Sequence, residues 1–387
     1  MNPFSPRIEE LLSAQERVDA LRQEATLRSG SALCDLAYAN SYDGAPTEVL
    51  AALTAAIQPG RPLDLQYTPY GGSTLARRLV GDALTASHGT RFHFRDVVLT
   101  PGAMAALNVV FRSVADGSHG EVLVVTPCWL DYPLYLENLG LEARMVPVDP
   151  RTLRLDLGRI EAALSPRTRA IVLSQPANPT GLLYSAGELR QLAELLGRAP
   201  SRPLLISDEC HRDFTFPQQT FVSPMAFYDR CCVIFSFGKS LFIQGQRLGY
   251  VAVSPRHPER RAFATLLERI LRTTGFCTPT ALMQRALGDL IDLRPNLDSL
   301  LKRRARTLEV LTRSGYLVAP SQATFFLYPE TPGGDDFAFT ERLAHQGVLV
   351  LPAPVFHHQG HFRISLTASD AMLDRALDVL TEKRVAA

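Results

Sequence analysis

Short runs of apolar residues, separated by polar and amphipathic stretches, recur through the first two thirds of the chain. Each run is short and ends near a proline, a serine or an aspartate, which is typical of a buried β-strand. The runs are residues 96–100, 121–127, 169–174, 203–208 and 231–235. The pattern predicts one large core built on buried strands.

Between and after these runs, the hydrophobic spacing changes to that of a helix. Residues 5–23 are predicted to form an N-terminal helix, with Ser5 as its cap and Pro6 in its first turn. Residues 33–46 are predicted to form a loop. Further helices are predicted after Gly102 and at 185–196, 256–292 (interrupted at 273–279) and 293–314. The last of these is predicted to join two domains.

The pattern changes again beyond residue 314, where short strands alternate with helices. Strands are predicted at 316–318, 324–328, 348–351 and 362–366, and helices at 335–346 and 369–384. This alternation indicates a second, smaller α/β domain. We expect an N-terminal arm and small-domain segment (1–46), a large domain (47–292) and a small C-terminal domain (293–387).

Composition narrows the classes of protein to consider. The chain has 40 Lys and Arg against 39 Asp and Glu, a net charge of +1, so its charge does not favour nucleic acid or an anionic membrane. No apolar run approaches the roughly 18 residues of a membrane span. The N-terminus lacks the charged-then-apolar order of a signal peptide. We therefore expect a cytoplasmic protein that acts on small molecules.

The spacing of cysteine and histidine does not favour a metal site. The cysteines form no C-x-x-C pair, so we expect reduced thiols, mostly packed in the interior. They are Cys34, Cys128, Cys210, Cys231, Cys232 and Cys277. His357, His358 and His361 lie close together in sequence but without a nearby carboxylate or cysteine, and we expect no metal ion there.

The stretch around Lys239 is the strongest candidate for chemistry. The apolar run 231–235 stops at Ser236-Phe-Gly238, which is small and flexible enough to place Lys239 in a cavity. Burial near other cations lowers the pKa of an ammonium from about 10.4, and the free amine can then form a Schiff base with a carbonyl carbon. Arg247 and the Ser236 hydroxyl are suited to a phosphate dianion. The alternative is a surface lysine and arginine flanking an ordinary strand.

Two further stretches carry candidate ligand groups. The helix that begins at Gly102 leaves the backbone N–H groups of Gly102, Ala103 and Met104 free for an anion. Trp129, the only tryptophan, follows a strand end, where open α/β sheets bind ligands, and its ring is suited to stack on a flat cofactor. The alternative is a tryptophan packed in the core or at an interface.

Taken together, these motifs resemble those of the class I/II aminotransferases, pyridoxal-phosphate enzymes of fold type I that include aspartate aminotransferase. Ser236, Lys239 and Arg247-Leu-Gly249 match the family's lysine motif, and Asn178-Pro-Thr-Gly181 matches its tetrapeptide after a strand. The resemblance implies an α/β fold, in which a large domain has a mainly parallel sheet flanked by helices and a smaller α/β domain follows. It also implies pyridoxal 5'-phosphate as cofactor and a homodimer.

The resemblance also implies roles for individual residues. Lys239 and Asp208 are expected to be catalytic, Lys239 through a Schiff base to the cofactor and Asp208 through an ion pair with its pyridine nitrogen. Asn178 is expected to bind the cofactor's phenolic oxygen and the substrate carboxylate, which Arg363 clamps. The groups implied to hold the phosphate are Gly102, Ala103, Met104, Ser236 and Arg247.

Three positions differ from the family or are defined less sharply. Tyr67 precedes a turn with paired glycines and is implied to reach the phosphate of the neighbouring subunit, while Asn40 lies in a loop that covers the substrate in the family. Three residues beyond Asp208, where the family usually has tyrosine, this chain has His211. We expect His211 to be catalytic, to hydrogen-bond the cofactor and to titrate near neutral pH. The alternative is a core histidine.

The implied function is transfer of the amino group of an α-amino acid to a 2-oxo acid, with Lys239 moving the α-proton. An alternative keeps the cofactor but diverts the carbanion to elimination, replacement, cyclisation, decarboxylation or oxidation. His211 motivates it, as does Pro352-Ala-Pro354, where the family commonly has proline then glycine. A cofactor-sensing domain of a transcription regulator is disfavoured, because the roughly thirty residues before the first motif are too few for a helix-turn-helix.

Overall fold

The computed structural model describes residues 6–58, 60–115, 117, 120–275 and 278–382. The helices are α1 (Pro6–Ser29), α2 (Thr47–Ile57), α3 (Thr74–His88), α4 (Gly102–Val114), α5 (Tyr132–Glu137), α6 (Leu157–Ala163), α7 (Ala186–Arg198), α8 (Phe237–Ser240), α9 (Arg260–Thr274), α10 (Ala281–Leu290), α11 (Asp298–Arg313), α12 (Asp336–His345) and α13 (Asp370–Thr381). The strands are β1 (Cys34–Asp35), β2 (Val97–Thr100), β3 (Glu121–Thr126), β4 (Glu142–Pro147), β5 (Thr168–Ser174), β6 (Leu204–Asp208), β7 (Cys231–Ser236), β8 (Gly249–Val253), β9 (Phe326–Leu327), β10 (Val348–Leu349), β11 (Leu351–Pro352) and β12 (Phe362–Ser365). Ser5 and Cys277 lie outside the described residues.

A seven-stranded sheet forms the centre of the protein. Its strand order is β2-β8-β7-β6-β5-β3-β4, and neighbouring strands from β7 to β4 are parallel. Within this sheet β8 runs against the others, because it pairs antiparallel with both β2 and β7. The carboxyl ends of six strands and the amino end of β8 therefore lie along one edge. The mainly parallel sheet expected for the chain is confirmed.

The central strands are apolar at successive positions because helices cover both faces of the sheet. In β7, Cys231, Val233 and Phe235 pack into the core on one face, and Cys232 and Ile234 pack into the core on the other. Side chains of α4 and α9 belong to the second core, and those of α3, α7 and α10 belong to the first. Burial on both faces accounts for the uninterrupted apolar runs in the sequence.

Residues beyond 315 build smaller sheets around a separate core. Strands β11, β12 and β9 pair antiparallel, and β1 pairs parallel with β10. The core beneath them contains Leu36, Phe325, Phe339 and Phe362. The N-terminal strand β1 is thus built into C-terminal structure, where the sequence predicted only a loop over 33–46. A two-residue strand is too short to produce a period of its own.

Several predicted boundaries differ from the structure. Helix α1 continues to Ser29, whereas the helix predicted to begin at 293 begins only at Asp298. Pro295 accounts for the absence of helix at residue 294, because proline disfavours helical backbone at the residue before it. The Asn296 side chain accepts a hydrogen bond of 2.8 Å from the backbone N–H of Asp298, where the helix begins. Residues 316–318 form an isolated bridge from Val318 to Pro329 rather than a strand. Among the described residues, no helix is long and apolar enough to span a bilayer.

Candidate active site

A cavity of about 320 Å³ lies at the sheet edge where the parallel strands end. Residues that follow β3, β5, β6 and β7 line one side, and residues 38–40 together with side chains from β9 and β12 line another. The predicted site residues in its lining are Asn40, Ala103, Met104, Trp129, Asn178, Asp208, Ser236, Lys239, Arg247 and Arg363. Residues far apart in sequence thus meet because parallel strands end at a common edge.

Lys239 lies on α8, a single helical turn that follows β7 directly. The turn is tight, since a Cβ added at Gly238 would come within 3.1 Å of the Cα of Gln244. Burial lowers the pKa of the Lys239 ammonium, and the positive charges of Arg363 and Arg247 act in the same direction, although two nearby acidic groups oppose them. The prediction that this turn places Lys239 in a cavity is confirmed.

His211 lies directly against Lys239. Its Nε2 is 2.8 Å from the Lys239 Nζ, and its ring packs edge-on against Phe325 and Phe326, with centroids 5.0 and 5.4 Å away. The side chain is 1 % exposed, and its Nδ1 has no hydrogen-bond partner among the described residues. Burial, with the charges of Lys239 and Arg363, holds the pKa of His211 well below its ordinary value. The expected titration near neutral pH is therefore wrong, and the imidazole is neutral.

Asp208 is the last residue of β6, and both of its oxygens are engaged. The hydroxyl of Tyr132 donates a hydrogen bond of 2.6 Å to Oδ2, and the backbone N–H of Cys210 donates one of 3.1 Å to Oδ1. Tyr132 is fully buried at the start of α5, and burial together with the charge of Asp208 raises the pKa of its hydroxyl well above the usual range. Tyr132 is therefore a permanent donor that fixes the orientation of this carboxylate.

A group of hydrogen-bond donors lies where α4 begins. Gly102 has φ +81°, and a Cβ at that position would overlap the guanidinium of Arg247. Arg247 leads into β8 and is anchored by a hydrogen bond of 2.6 Å from its Nη1 to the carbonyl of Gln244. The backbone N–H groups in the first turn of α4 and the Ser236 hydroxyl are the neighbouring donors. Such a combination is suited to a phosphate group.

Arg363, on β12, is buried at 3 % exposure between two aromatic rings. Its guanidinium carbon lies 4.0 Å from the ring centroid of Phe326 and 4.8 Å from that of Phe356. It donates to Oδ1 of Asn178 at 3.1 Å and to the carbonyl of Ala37 at 2.7 Å, while its Nε has no partner among the described residues. Burial lowers the pKa of Arg363 to about 9. A bound carboxylate would relieve this unfavourable burial of charge.

Trp129 and Tyr67 have different surroundings. Trp129 follows β3 and lines the cavity, with its ring edge-on to those of Tyr132 and Tyr135 at centroid distances of 5.5 and 5.7 Å. Tyr67 is fully exposed and does not line the cavity of its own chain. Its implied role in a neighbouring subunit remains a prediction.

The sequence analysis missed several residues of the cavity. Tyr38, Asp131, Gln244 and Phe326 line it as well. Asp131 follows Trp129 by two positions at the same strand end, so a search for charged residues after each strand would have found it. Tyr132 and Phe326 could not have been found in that way, because buried aromatic residues are common in any core.

The segment that includes Pro352-Ala-Pro354 forms a 3-10 turn that ends at Phe356.

Nearby, His358 and His361 pack against Tyr328. The Tyr328 hydroxyl is 3.1 Å from Nδ1 of His358, and its ring stacks on that of His361 with centroids 4.8 Å apart. In the part of the chain that the structure describes, no three His, Cys, Asp or Glu residues are grouped as a metal site would require.

Comparison with known proteins identifies the family. The profile of "Aminotransferase class I and II" matches residues 35–380. The probable aspartate/prephenate aminotransferase of Aquifex aeolicus is 27% identical over 342 residues, which cover 85% of both chains. The aspartate aminotransferase of Thermotoga maritima is 26% identical over 381 residues, which cover 97% of both.

Solved structures agree with this result. A crystal structure of aspartate aminotransferase from Thermotoga maritima superimposes with a TM-score of 0.88 at 25% identity, and the match covers 98% of this chain and 99% of that one. The fold is that of the fold type I enzymes, as the resemblance implied. The chain therefore belongs to the class I and II aminotransferases, and it is a pyridoxal-phosphate-dependent enzyme that transfers an amino group between an amino acid and a 2-oxo acid.

Proposed function

We propose that Lys239 is the residue that binds the cofactor covalently and moves the substrate's α-proton. The observation that carries the proposal is the environment of its Nζ, which lies in the cavity, 2.8 Å from a neutral histidine, with a lowered pKa. A lysine that loses its proton readily can act both as a nucleophile towards an aldehyde and as a base.

The chemistry of the surrounding groups fits pyridoxal phosphate. Arg247, Ser236 and the first turn of α4 supply donors for a phosphate, and Asp208 supplies an acceptor for the pyridine N–H. Two buried nitrogen atoms, Nδ1 of His211 and Nε of Arg363, lack partners among the described residues. Buried polar atoms without partners are costly, and they are often satisfied by a ligand.

We assign each residue one task in the reaction. When bound, pyridoxal phosphate supplies an electron sink for the charge left on the substrate's α-carbon. Asp208, oriented by Tyr132, keeps a proton on the ring nitrogen and so maintains that sink. Nζ of Lys239 would accept the proton from the substrate's α-carbon and hold it for return, and Nε2 of the neutral His211 contacts that nitrogen.

Binding of the substrate carboxylate falls to Arg363 and Asn178. Their mutual hydrogen bond of 3.1 Å and the two rings against the guanidinium hold both side chains in place before substrate arrives. A planar guanidinium pairs with a carboxylate through two parallel hydrogen bonds, which fixes the orientation of the α-carbon. Trp129 is assigned to stack on the cofactor ring, and Asn40 to contact the substrate.

We further propose a cytoplasmic homodimer with domains at 1–46, 47–292 and 293–387. Leu63, Tyr67 and Leu75 are large apolar side chains that the single chain leaves 67 % or more exposed on one short segment. Exposed apolar residues grouped in this way are typical of an interface. Covering them with a second copy would also bring Tyr67 to the other subunit, where we assign it to the phosphate.

A half-reaction assay tests the proposed function. The holoenzyme is mixed with single amino acids, with and without a 2-oxo acid acceptor, and the visible spectrum and products are followed. Transamination predicts that the cofactor is converted to its amine form without acceptor, and that turnover continues only when acceptor is present. Products that accumulate without acceptor would instead support diversion of the carbanion. The curated relatives and the solved structure compared above carry the names of aminotransferases, which favours transfer.

A further inference from the structure

The charged side chains of the cavity leave one charge without an assigned partner. Five such side chains line it, namely Asp131, Asp208, Lys239, Arg247 and Arg363. Under the proposed function, Arg247 faces the phosphate, Asp208 the ring nitrogen and Arg363 the substrate carboxylate, while Lys239 either forms the covalent link or, once released from it, moves the substrate's α-proton. Asp131 then remains as a negative charge that neither the cofactor nor the substrate backbone neutralises.

The surroundings of Asp131 do not neutralise it either. Its carboxylate forms no ion pair with any described residue, and its one side-chain partner among them is the hydroxyl of Tyr135, which donates a hydrogen bond to it. Burial raises the pKa of Asp131 to about 6, and the hydrogen bond from Tyr135 opposes that effect. The group is therefore largely ionised at neutral pH but poorly solvated. A partly buried carboxylate in this condition gains from a cation placed beside it.

Two neutral groups of the cavity can accept hydrogen bonds from a cation. Gln244 donates from Nε2 to the carbonyl of Ala39 at 3.2 Å, which leaves its Oε1 as an acceptor. Asn40 carries a second amide oxygen in the same lining. Among the described lining residues, no arginine or lysine remains for a second carboxylate once the three cations have their assigned partners.

We propose that Asp131 binds the positively charged end of the substrate's side chain, so that the amino acid used by this enzyme is basic and carries a guanidinium or an ammonium group. This inference rests on the proposed function, because it assumes that Arg363 holds the α-carboxylate. The names of the relatives compared above refer to aspartate and prephenate, which are acidic. The proposed substrate of this chain therefore has a side chain of the opposite charge to the acidic substrates in those names.

Matched pairs of compounds test the proposal on the holoenzyme. Arginine is compared with citrulline, and lysine with norleucine, because each pair differs mainly in one positive charge. Transamination gives kcat/KM for each compound. Calorimetry gives the binding of δ-guanidinovalerate and δ-ureidovalerate, which lack the α-amino group and cannot react. The variants are Asp131→Asn, Asp131→Glu, and Asp378→Asn, which removes an exposed carboxylate on α13.

We expect the wild type to prefer the charged member of at least one reactive pair, and of the unreactive pair, by about 10- to 100-fold, the range of a charge-assisted hydrogen bond. Asp131→Asn should reduce the preference to about threefold or less, while Asp131→Glu and Asp378→Asn should retain it. Equal use of both members by the wild type, or a preference that persists in Asp131→Asn, would overturn the proposal. If no amino acid is transaminated, the proposed function fails, and the calorimetric comparison still decides whether Asp131 binds a cation.

Discussion

Nζ of Lys239 lies 2.8 Å from Nε2 of His211, and both groups have a pKa below the ordinary value because they are buried. Two basic groups so close together cannot both be positively charged without strong repulsion. The imidazole is the one that stays neutral, since its ring is buried against Phe325 and Phe326 and its Nδ1 has no partner among the described residues. His211 is therefore a neutral hydrogen-bonding group beside Lys239 and not a charge switch.

This relationship predicts the pH dependence of the reaction. A lowered pKa means that the fold favours the neutral imidazole, so the stability contributed by His211 is complete above about pH 6.5 and is lost as the pH falls. We expect kcat/KM of the holoenzyme to show no ionisation of His211 between about pH 6 and pH 8. The profiles of the wild type and His211→Gln should then have the same shape in this range. A step near neutrality that disappears in His211→Gln would contradict the account.

Removal of the Tyr132 hydroxyl should weaken cofactor binding. Tyr132→Phe retains the ring contacts with Trp129 and Phe111 but loses the 2.6 Å hydrogen bond to Asp208. Without that bond Asp208 is no longer held in one orientation towards the ring N–H. We expect the Kd of pyridoxal phosphate to rise by up to about 10-fold, which is part of the roughly 1.5–3 kcal/mol that a hydrogen bond to a buried charge contributes. Fluorescence titration of the apoprotein measures this change.

Tyr228→Phe is the matched control for that experiment. The Tyr228 hydroxyl is also buried and donates 3.0 Å to the carbonyl of Pro203, but it does not line the cavity. Its loss should lower the free energy of unfolding and leave the Kd of the cofactor unchanged. Equal effects of both variants on the Kd would show that Tyr132 acts only through general stability.

Gly102→Ala should displace Arg247. Gly102 has φ +81°, and an added Cβ would overlap the guanidinium, so the substitution imposes both backbone strain and a steric clash. Gly89→Ala is the control, because Gly89 has φ +64° but open space around the position of a Cβ. Both variants should lose about 1–3 kcal/mol of stability from strain. Phosphate and cofactor affinity should fall only in Gly102→Ala; unchanged affinity there would count against Arg247 as a phosphate ligand.

Arg363→Lys should impair substrate binding more than folding. Lysine keeps the charge but loses the planar fork and its contact with the rings of Phe326 and Phe356, and we expect kcat/KM to fall by about 10- to 100-fold, mainly through KM. Arg304→Lys is the control. Arg304 lies 4.9 Å from the ring centroid of Phe216 and donates to Ser321, outside the cavity. If steady-state kinetics showed a similar loss of kcat/KM in both variants, the assignment of Arg363 to the substrate carboxylate would be wrong.

Those elements that repeat a simple physical pattern could be predicted from the sequence. β7 is buried on both faces, so its apolar run was recognisable, and the small residues after it correctly predicted that Lys239 enters a cavity. β1 could not be predicted, since its two residues gain their partner from residues 348–349, more than three hundred positions later. Register of that kind depends on tertiary packing and not on local preference.

Site residues could be predicted where a sequence motif identifies a single residue. Properties that depend on contacts between residues distant in sequence could not be predicted. His211 was found as a departure from the family, but its neutral state depends on Phe325 and Phe326, which the chain brings in from a distant segment. The hydrogen bond from Tyr132 to Asp208 joins two strand ends and leaves no trace in local spacing. A role for Asp131 in substrate binding could be inferred only after the structure showed which other charged side chains line the cavity.

The central claim is that Lys239 holds the cofactor covalently, and borohydride reduction tests it most directly. The chain contains three lysines, Lys239, Lys302 and Lys383, so peptide mapping by mass spectrometry gives a clear answer. We predict that the reduced holoenzyme carries one pyridoxyl group, located on Lys239, and that Lys239→Ala carries none while Lys302→Ala is labelled like the wild type. Absence of the label from Lys239, or a label on either of the other two lysines instead, would contradict the account.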